Sequence, residues 1–249
     1  MRTRSELYNS LLKLQVDLSF FNEISVLKKI DMSNVQNILD YGCGNGYFAK
    51  QLSMKYPNRN FYCCDRDVEI LKYFDEFKNS NILLGEYQKL ILPVKMDMVI
   101  LRHLTSYLSN RTKFFNWIKD NSNDESYLLL IDAYDENLLI EPVMPEFKKG
   151  LDAFYQSIDN MGGNRDLFAE IKSELSDLGY KHMDSLKIVV NSDIPNLKEK
   201  LFVYMNLVAE LDNGLPLSEK IREELMNWVT SESSYLQYGL FASVFKLNK

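Results

Sequence analysis

Apolar residues recur every three or four positions through Leu7, Leu11, Leu14, Leu18, Phe21, Ile24 and Leu27. That is the spacing of one helical face, and it predicts an N-terminal helical layer over residues 7–30. The pattern then shortens. VQNILDY (35–41) is a strand-like run that ends in glycines, and Phe48, Leu52 and Tyr56 behind it mark a helix stopped by Pro57. The alternation repeats through NFYCCD (60–65), a helical stretch at 68–77, NILLG (81–85), MDMVIL (96–101), a helix around 114–118, and YLLLID (127–132). Short apolar runs separated by helices imply parallel strands, because a parallel pair needs a crossover between its members. The expected fold class is α/β, a doubly wound sheet with helices on both faces.

Beyond the fifth strand, Pro142 and Pro145 mark a loop, followed by helical spacing at 147–158. A further helix runs from Asn164, a plausible N-cap, through Leu167, Ile171, Leu175 and Leu178 to Gly179, a natural stop. KHMDSLKIVV (181–190) and YLQYGLFASVFKL (235–247) complete a mostly parallel, seven-stranded sheet. The segment between them is longer than a hairpin requires. Leu197, Leu201, Tyr204, Val208 and Leu211 lie at helical spacing, as do Ile221, Leu225 and Trp228 after a Pro216/Ser218 start. The chain therefore divides into an N-terminal helical layer (1–33), a core (34–190 and 234–249) and a helical cap (191–233), all within one domain.

Composition narrows the function classes. Hydrophobic residues make up 46% and charged residues 26%, the balance of a chain that folds. No apolar run approaches the roughly 20 residues that cross a bilayer. The first ten residues lack a secretory pattern, so a cytoplasmic location is expected. A net charge of −6 disfavours binding DNA through many neutralised phosphates. The three cysteines, Cys43, Cys63 and Cys64, are an odd set with two sequence neighbours, which favours reduced thiols over disulfides or zinc.

The chemistry concentrates in the first glycine loop. Asp40, Gly42, Gly44 and Gly46 stand where a strand turns into a helix, letting backbone approach a ligand with no β-carbon in the way. A dinucleotide fingerprint, G-x-G-x-x-G, would set its third glycine one residue later. Here the spacing is G-x-G-x-G.

ILDYGCGNG (38–46) resembles motif I of the class I S-adenosylmethionine-dependent methyltransferases, and the resemblance extends in element order over residues 35–132. It implies a Rossmann-like fold and S-adenosylmethionine as cofactor. It also implies that the loop from Gly42 through Cys43 and Gly44 to Gly46 lies against the methionine moiety, with Asp40 holding the loop and the amino group. Asp65, ending FYCCD, falls where the family's acidic residue binds the ribose hydroxyls, a task suited to two acceptor oxygens. Many relatives place an aspartate beyond the third strand to meet the adenine amino group. Here Glu86 occupies that region, and backbone groups near Tyr87 offer an alternative. Arg66 and Arg102, at the ends of the second and fourth strands, complete the expected cofactor set.

A sulfonium makes its methyl group electrophilic, so the protein's main task is to align an acceptor. A base would assist transfer to an amine or hydroxyl. His103 in LRHLTSYL lies beyond the fourth strand, where open sheets place ligands, and is the first candidate; Tyr107 is the second. Asp132 and Tyr134 hold similar positions, His182 reads as structural, and Tyr8 reads as a core-facing residue of the helical layer, with a reach back over the cofactor, as aromatics make in some relatives, as its alternative. No set of hard oxygen ligands suggests a metal, and the segment after the fourth strand lacks the D/N-P-P-Y/F pattern of adenine amino-methyltransferases. Phe202, Tyr204, Met205 and Trp228 of the cap, with Tyr134, Met144, Phe147, Phe154 and Tyr155, could line an aromatic pocket. The leading expectation is a small-molecule acceptor. The alternatives are a protein or RNA acceptor, or a regulator that binds S-adenosylmethionine without turnover.

Overall fold

The computed structural model describes residues 2–165, 167–213 and 217–248. Its centre is a sheet whose first five strands are parallel: β1 (Asn37–Tyr41), β2 (Asn60–Asp65), β3 (Ser80–Leu84), β4 (Met96–Arg102) and β5 (Ser122–Ala133), ordered β3-β2-β1-β4-β5. Order reverses between β1 and β4, opening a crevice at the carboxyl ends of these strands. The last strand, β8 (Tyr235–Leu247), runs antiparallel to β5 on one edge and to β7 (Tyr180–Asn191) on the other.

An eighth strand departs from the seven expected. Leu139–Glu141 forms β6, which pairs with β8 at residues 235–237, continuing the edge that β5 occupies at 240–246. Three residues carry too little periodicity to be seen in sequence.

Consecutive strand residues face opposite layers. Ile38, Met98, Ile100, Leu129 and Ile131 pack into one apolar cluster, while Leu39, Val99, Leu101, Leu128 and Leu130 pack into another. Burial of both faces explains why these strands read as continuous apolar runs. On the first face lie α1 (Arg4–Glu23) and α2 (Tyr47–Lys55), joined by α7 (Leu197–Asn213) and α8 (Glu219–Thr230). The second face is covered by α4 (Arg111–Asp120) and α6 (Leu167–Asp177).

Several expectations change in detail. The helix anticipated over 7–30 ends at Glu23 and gives way to 3-10 turns at Ile24–Lys29 and Met32–Asn34. Phe21 is 81% exposed, because Val16, Ser19, Phe20 and Glu23 form the inward stripe of the second half of α1. The helix at 68–77 shrinks to α3 (Val68–Leu71), leaving Phe74 and Phe77 free to pack as irregular chain against the first apolar cluster. The Asn164 amide donates to Glu170 and its backbone N–H to the Ser106 carbonyl, and the residue that separates it from α6 lies outside the described residues. Gly179 does end α6's trailing turn, at φ +90°. Ser218 caps α8, accepting from the Ile221 N–H at 3.3 Å, whereas Pro216 lies outside the described residues. Helix α7 packs on α1, on α8 and on α5 (Pro145–Asn160), with Leu207 meeting Leu7 and Leu11. Among the described residues no helix is long and apolar enough to cross a membrane.

Candidate active site

The glycine loop is folded by its own backbone. The N–H groups of Gly42 and Cys43 both donate to the Cys64 carbonyl, at 2.8 and 3.0 Å, and the Gly46 N–H donates to the Cys43 carbonyl. Gly42, Gly44 and Gly46 all adopt left-handed conformations, at φ +78°, +57° and +71°, which glycine enters without steric cost. Asp65 draws the loop toward β2 by accepting the Gly44 N–H at 2.8 Å, while its other oxygen accepts from the Asp67 N–H at 2.9 Å. Asn45 joins the loop to α1, donating to the backbone and side-chain oxygens of Asn9 and accepting from the Tyr47 N–H.

This loop forms one wall of a cavity of about 760 Å³ that spans the crevice beyond β1 and β4. Asp40, Gly42, Cys43, Gly44, Asp65, Arg66, Glu86, Tyr87, Arg102, His103 and Tyr107 all line it. Gly46 does not. A β-carbon there would come within 2.1 Å of the Phe74 ring, so Gly46 faces the rear of the loop and serves as the N-cap of α2. Gly46 is thus the one residue of the expected cofactor set that the structure places behind the cavity wall.

Asp40 is 2% exposed, and its Oδ2 has no hydrogen-bond partner. Burial pushes its carboxyl up to about 7, a rise that the Arg102 charge opposes and Asp65 reinforces. An unpartnered buried carboxylate oxygen is costly, so this atom is the strongest local sign of a ligand that donates a hydrogen bond. Cys43 and Cys64 are held as neutral thiols; hydrogen bonding to Cys63 and burial push up the first, and burial chiefly the second.

Arg102 has a second task that the sequence did not announce. Its Nε and Nη2 grip the Glu23 carboxylate at 2.7 and 2.9 Å, and its guanidinium lies 5.3 Å from the centre of the Phe48 ring. Glu23 is fully buried and also accepts from the Ser19 hydroxyl. This pair bolts the end of α1 to the end of β4. Glu86 is exposed and pairs with Arg66 at 3.3 Å, whereas the Tyr87 N–H is already given to the Tyr41 hydroxyl at 2.8 Å. That engagement occupies the Tyr87 N–H, and Glu86 and the neighbouring Gln88 also line the cavity wall.

At the far end, His103 sits at φ +51°, an uncommon conformation for a non-glycine residue, with its N–H bonded to the Ile131 carbonyl at 2.7 Å. Burial, then the charges of Arg102 and Arg165, hold its imidazole well below the ordinary histidine range, so it is neutral at neutral pH, with a free lone pair but weakened as a base. Asp132 is buried and accepts from the N–H groups of Ser106 and Ala133 and from the Ser106 hydroxyl, which makes it a scaffold for the β4 loop. Tyr134 is buried outside the cavity lining, and His182 bonds Ser185 at 2.7 Å away from it.

Tyr8 is a correction. It lines the cavity and keeps 42% of its surface, so α1 contributes a wall, with Arg4, Leu12 and Gln15 beside it. Of the candidate pocket aromatics, Tyr204, Phe147, Phe154 and Tyr155 reach the cavity, while Met144, Met205 and Trp228 belong to the packed core. Arg165 and Tyr238 also line it and were missed. Neither stands in a recognisable motif, because long-range packing brings them there. Among the described residues no cluster of three or more His, Cys, Asp or Glu could hold a metal.

A family of methyltransferase domains matches residues 17–181. A malonyl-[acyl-carrier protein] O-methyltransferase of Ilyobacter polytropus is 23% identical over 141 residues, covering 55% of this chain and 53% of that protein. The chain thus spans about half the length of the curated relatives it matches. The plantazolicin methyltransferase BpumL, solved with a desmethyl plantazolicin analogue and S-adenosylhomocysteine, superposes with a TM-score of 0.51 at 12% identity, covering 98% of this chain and 86% of its own. A Galdieria sulphuraria protein provisionally described as a sarcosine dimethylglycine methyltransferase gives a TM-score of 0.59 at 12% identity, covering 93% and 87%. At these identities the solved structures establish a shared fold. The match over residues 17–181, carried by the same strands and glycine loop that build the cavity, makes this chain a member of the methyltransferase-domain family.

Proposed function

We propose that this chain is an S-adenosylmethionine-dependent methyltransferase acting on a small-molecule acceptor. The observation that carries the cofactor reading is the buried, unpartnered Oδ2 of Asp40 beside the glycine loop. An ammonium group suits it in charge and in hydrogen-bond donation. The methionine moiety of S-adenosylmethionine has such a group; a nicotinamide dinucleotide has no ammonium to offer. Asp65 keeps lone pairs on both oxygens after accepting from Gly44 and Asp67, which fits it to a ribose diol. Glu86 and Gln88 are the polar side chains available to adenine, and Gly42 with Gly44 lets the ligand approach the backbone.

When bound, the cofactor supplies an electrophilic methyl on sulfur. The chain's residues do the rest. Helices α1, α5 and α7 wall the cavity with Tyr8, Phe147, Phe154, Tyr155 and Tyr204, which exclude water and orient an acceptor. His103 is the group placed to take a proton from an amine or hydroxyl, with Tyr107 beside it as a hydrogen-bonding phenol. Residues 191–233 act in this reading as a cap, because Tyr204 and Val208 of α7 face the cavity.

Calorimetric titration tests the cofactor assignment. S-adenosylmethionine and S-adenosylhomocysteine are expected to bind at about micromolar Kd, roughly −8 kcal/mol. Asp65→Ala is expected to weaken both by about tenfold or more, and NAD is expected not to compete. Binding of NAD alone would overturn the assignment.

A further inference from the structure

Arg165 is a cation that the cofactor reading leaves without a role. The chain places it deliberately. The Gly163 and Asn164 N–H groups bond the carbonyls of Ile158 and Ser106, at 3.0 and 2.9 Å, which anchors the turn after α5 against the loop that carries His103. The Arg165 Nε and Nη2 then meet Asp135 Oδ2 and Oδ1 at 2.5 and 2.6 Å, and the guanidinium stacks 4.1 Å from the centre of the Tyr155 ring. One edge of the fork is fixed by Asp135 and one face by Tyr155. Its remaining amino group, Nη1, has no hydrogen bond among the described residues, and the side chain lines the cavity.

The groups around it define what could meet that nitrogen. The charge of Asp135 is balanced by Arg165, while Asp132 has its oxygens occupied by Ser106 and Ala133 and burial raises its carboxyl above the ordinary range, so both are weak attractors of a cationic acceptor. Arg102 and Arg165 both act on His103 in the sense of positive charge. Phe147, Leu151 and Phe154 supply apolar wall in the same cavity. A held guanidinium with a spare donor, beside apolar surface, matches a planar oxyanion attached to an apolar body.

We propose that Arg165 binds a carboxylate on the methyl acceptor and thereby selects acidic acceptors over neutral and cationic ones. This inference rests on the methyltransferase reading of the same cavity. The carboxylate would contact Nη1 end-on while Asp135 keeps the other edge, so the ion pair is retained and the acceptor's charge is added to it.

The test uses the full chain saturated with S-adenosylhomocysteine and three probes of one shape: benzoate, benzamide and benzylammonium. Benzoate is expected to bind about tenfold or more tightly than either of the others. Arg165→Gln combined with Asp135→Asn removes the pair without stranding a charge. This double variant is expected to bring benzoate down to the level of benzamide and to leave S-adenosylhomocysteine affinity unchanged. The proposal is overturned if benzamide or benzylammonium binds as well as benzoate, if the double variant keeps the preference, or if benzoate fails to bind at millimolar concentration. A failure of the underlying reading is separately visible, because the wild-type chain would then not bind S-adenosylhomocysteine.

Discussion

Asp40 shows how a single residue links stability to ligand. Its carboxyl rises in the fold to about 7 from an ordinary value near 4, because burial disfavours the charged form. A group whose folded pKa is raised stabilises the fold fully below the unfolded value, and that contribution is lost as pH rises through the folded value. The free protein should therefore lose stability between about pH 4 and pH 7, by an amount on the order of 3–4 kcal/mol. Asp40→Asn is expected to be more stable than wild type at pH 8, by roughly 1–3 kcal/mol in denaturant titration. The advantage should shrink toward pH 4, and S-adenosylmethionine affinity should fall. If the ammonium meets Asp40, binding near neutral pH releases a proton. Calorimetry in buffers of different ionisation enthalpy would then give different apparent heats, and identical heats would contradict the contact. Motif resemblance picked out Asp40 in the sequence. The neighbouring charge of Arg102 was read in the sequence only as a member of the cofactor set, and its pairing with Glu23 was invisible because that bond spans 79 positions.

Elements were legible where one physical signal dominated. Each buried parallel strand was visible as an apolar run, and α4, α7 and α8 as periodic stripes. Helix α1 was misread at its end because polar Ser19 and Glu23 occupy its inward stripe, where a hydrophobic pattern cannot register them. Helix α3 was overextended because Phe74 and Phe77 mimic helical spacing while packing from irregular chain. The glycine loop was recognised as a unit, yet its members differ. Gly46→Ala would force a non-glycine residue to φ +71° and drive a β-carbon against Phe74, costing about 1–3 kcal/mol of stability. Cofactor affinity in that variant should change only a few-fold, since Gly46 faces away from the cavity. Gly44→Ala carries the same left-handed strain at φ +57° but meets only the end of the flexible Leu12 side chain, at 2.6 Å, and being on the cavity wall should also weaken binding by about tenfold or more. Thermal unfolding and titration of the two variants separate these outcomes; equal binding losses would refute the division of labour.

At the scale of the molecule, the cavity is assembled from parts far apart in the chain: α1, the β1 and β4 loops, α5, the Arg165 turn and α7. Element order alone conveyed the sheet but not this convergence, which depends on α7 packing across α1 and α5. Those helices should respond together to a ligand. Hydrogen exchange is expected to slow in α1 and α7, as well as in the glycine loop, when S-adenosylhomocysteine is added. Protection confined to residues 40–46 would mean that the helices are bystanders.

The placement of β8 bears on how such a chain is made. β8 separates β5 from β7, yet it is contributed by residues 235–247, after these two strands and β6 have been synthesised. Until it emerges from the ribosome, the nascent chain carries two strands whose facing edges have nothing to pair with, together with apolar side chains that have nowhere to go. At about 5–20 residues per second, the stretch between β7 and β8 imposes a delay of several seconds. Over that interval chaperones, or the early docking of α7 on α1, would have to keep the incomplete sheet from joining another chain.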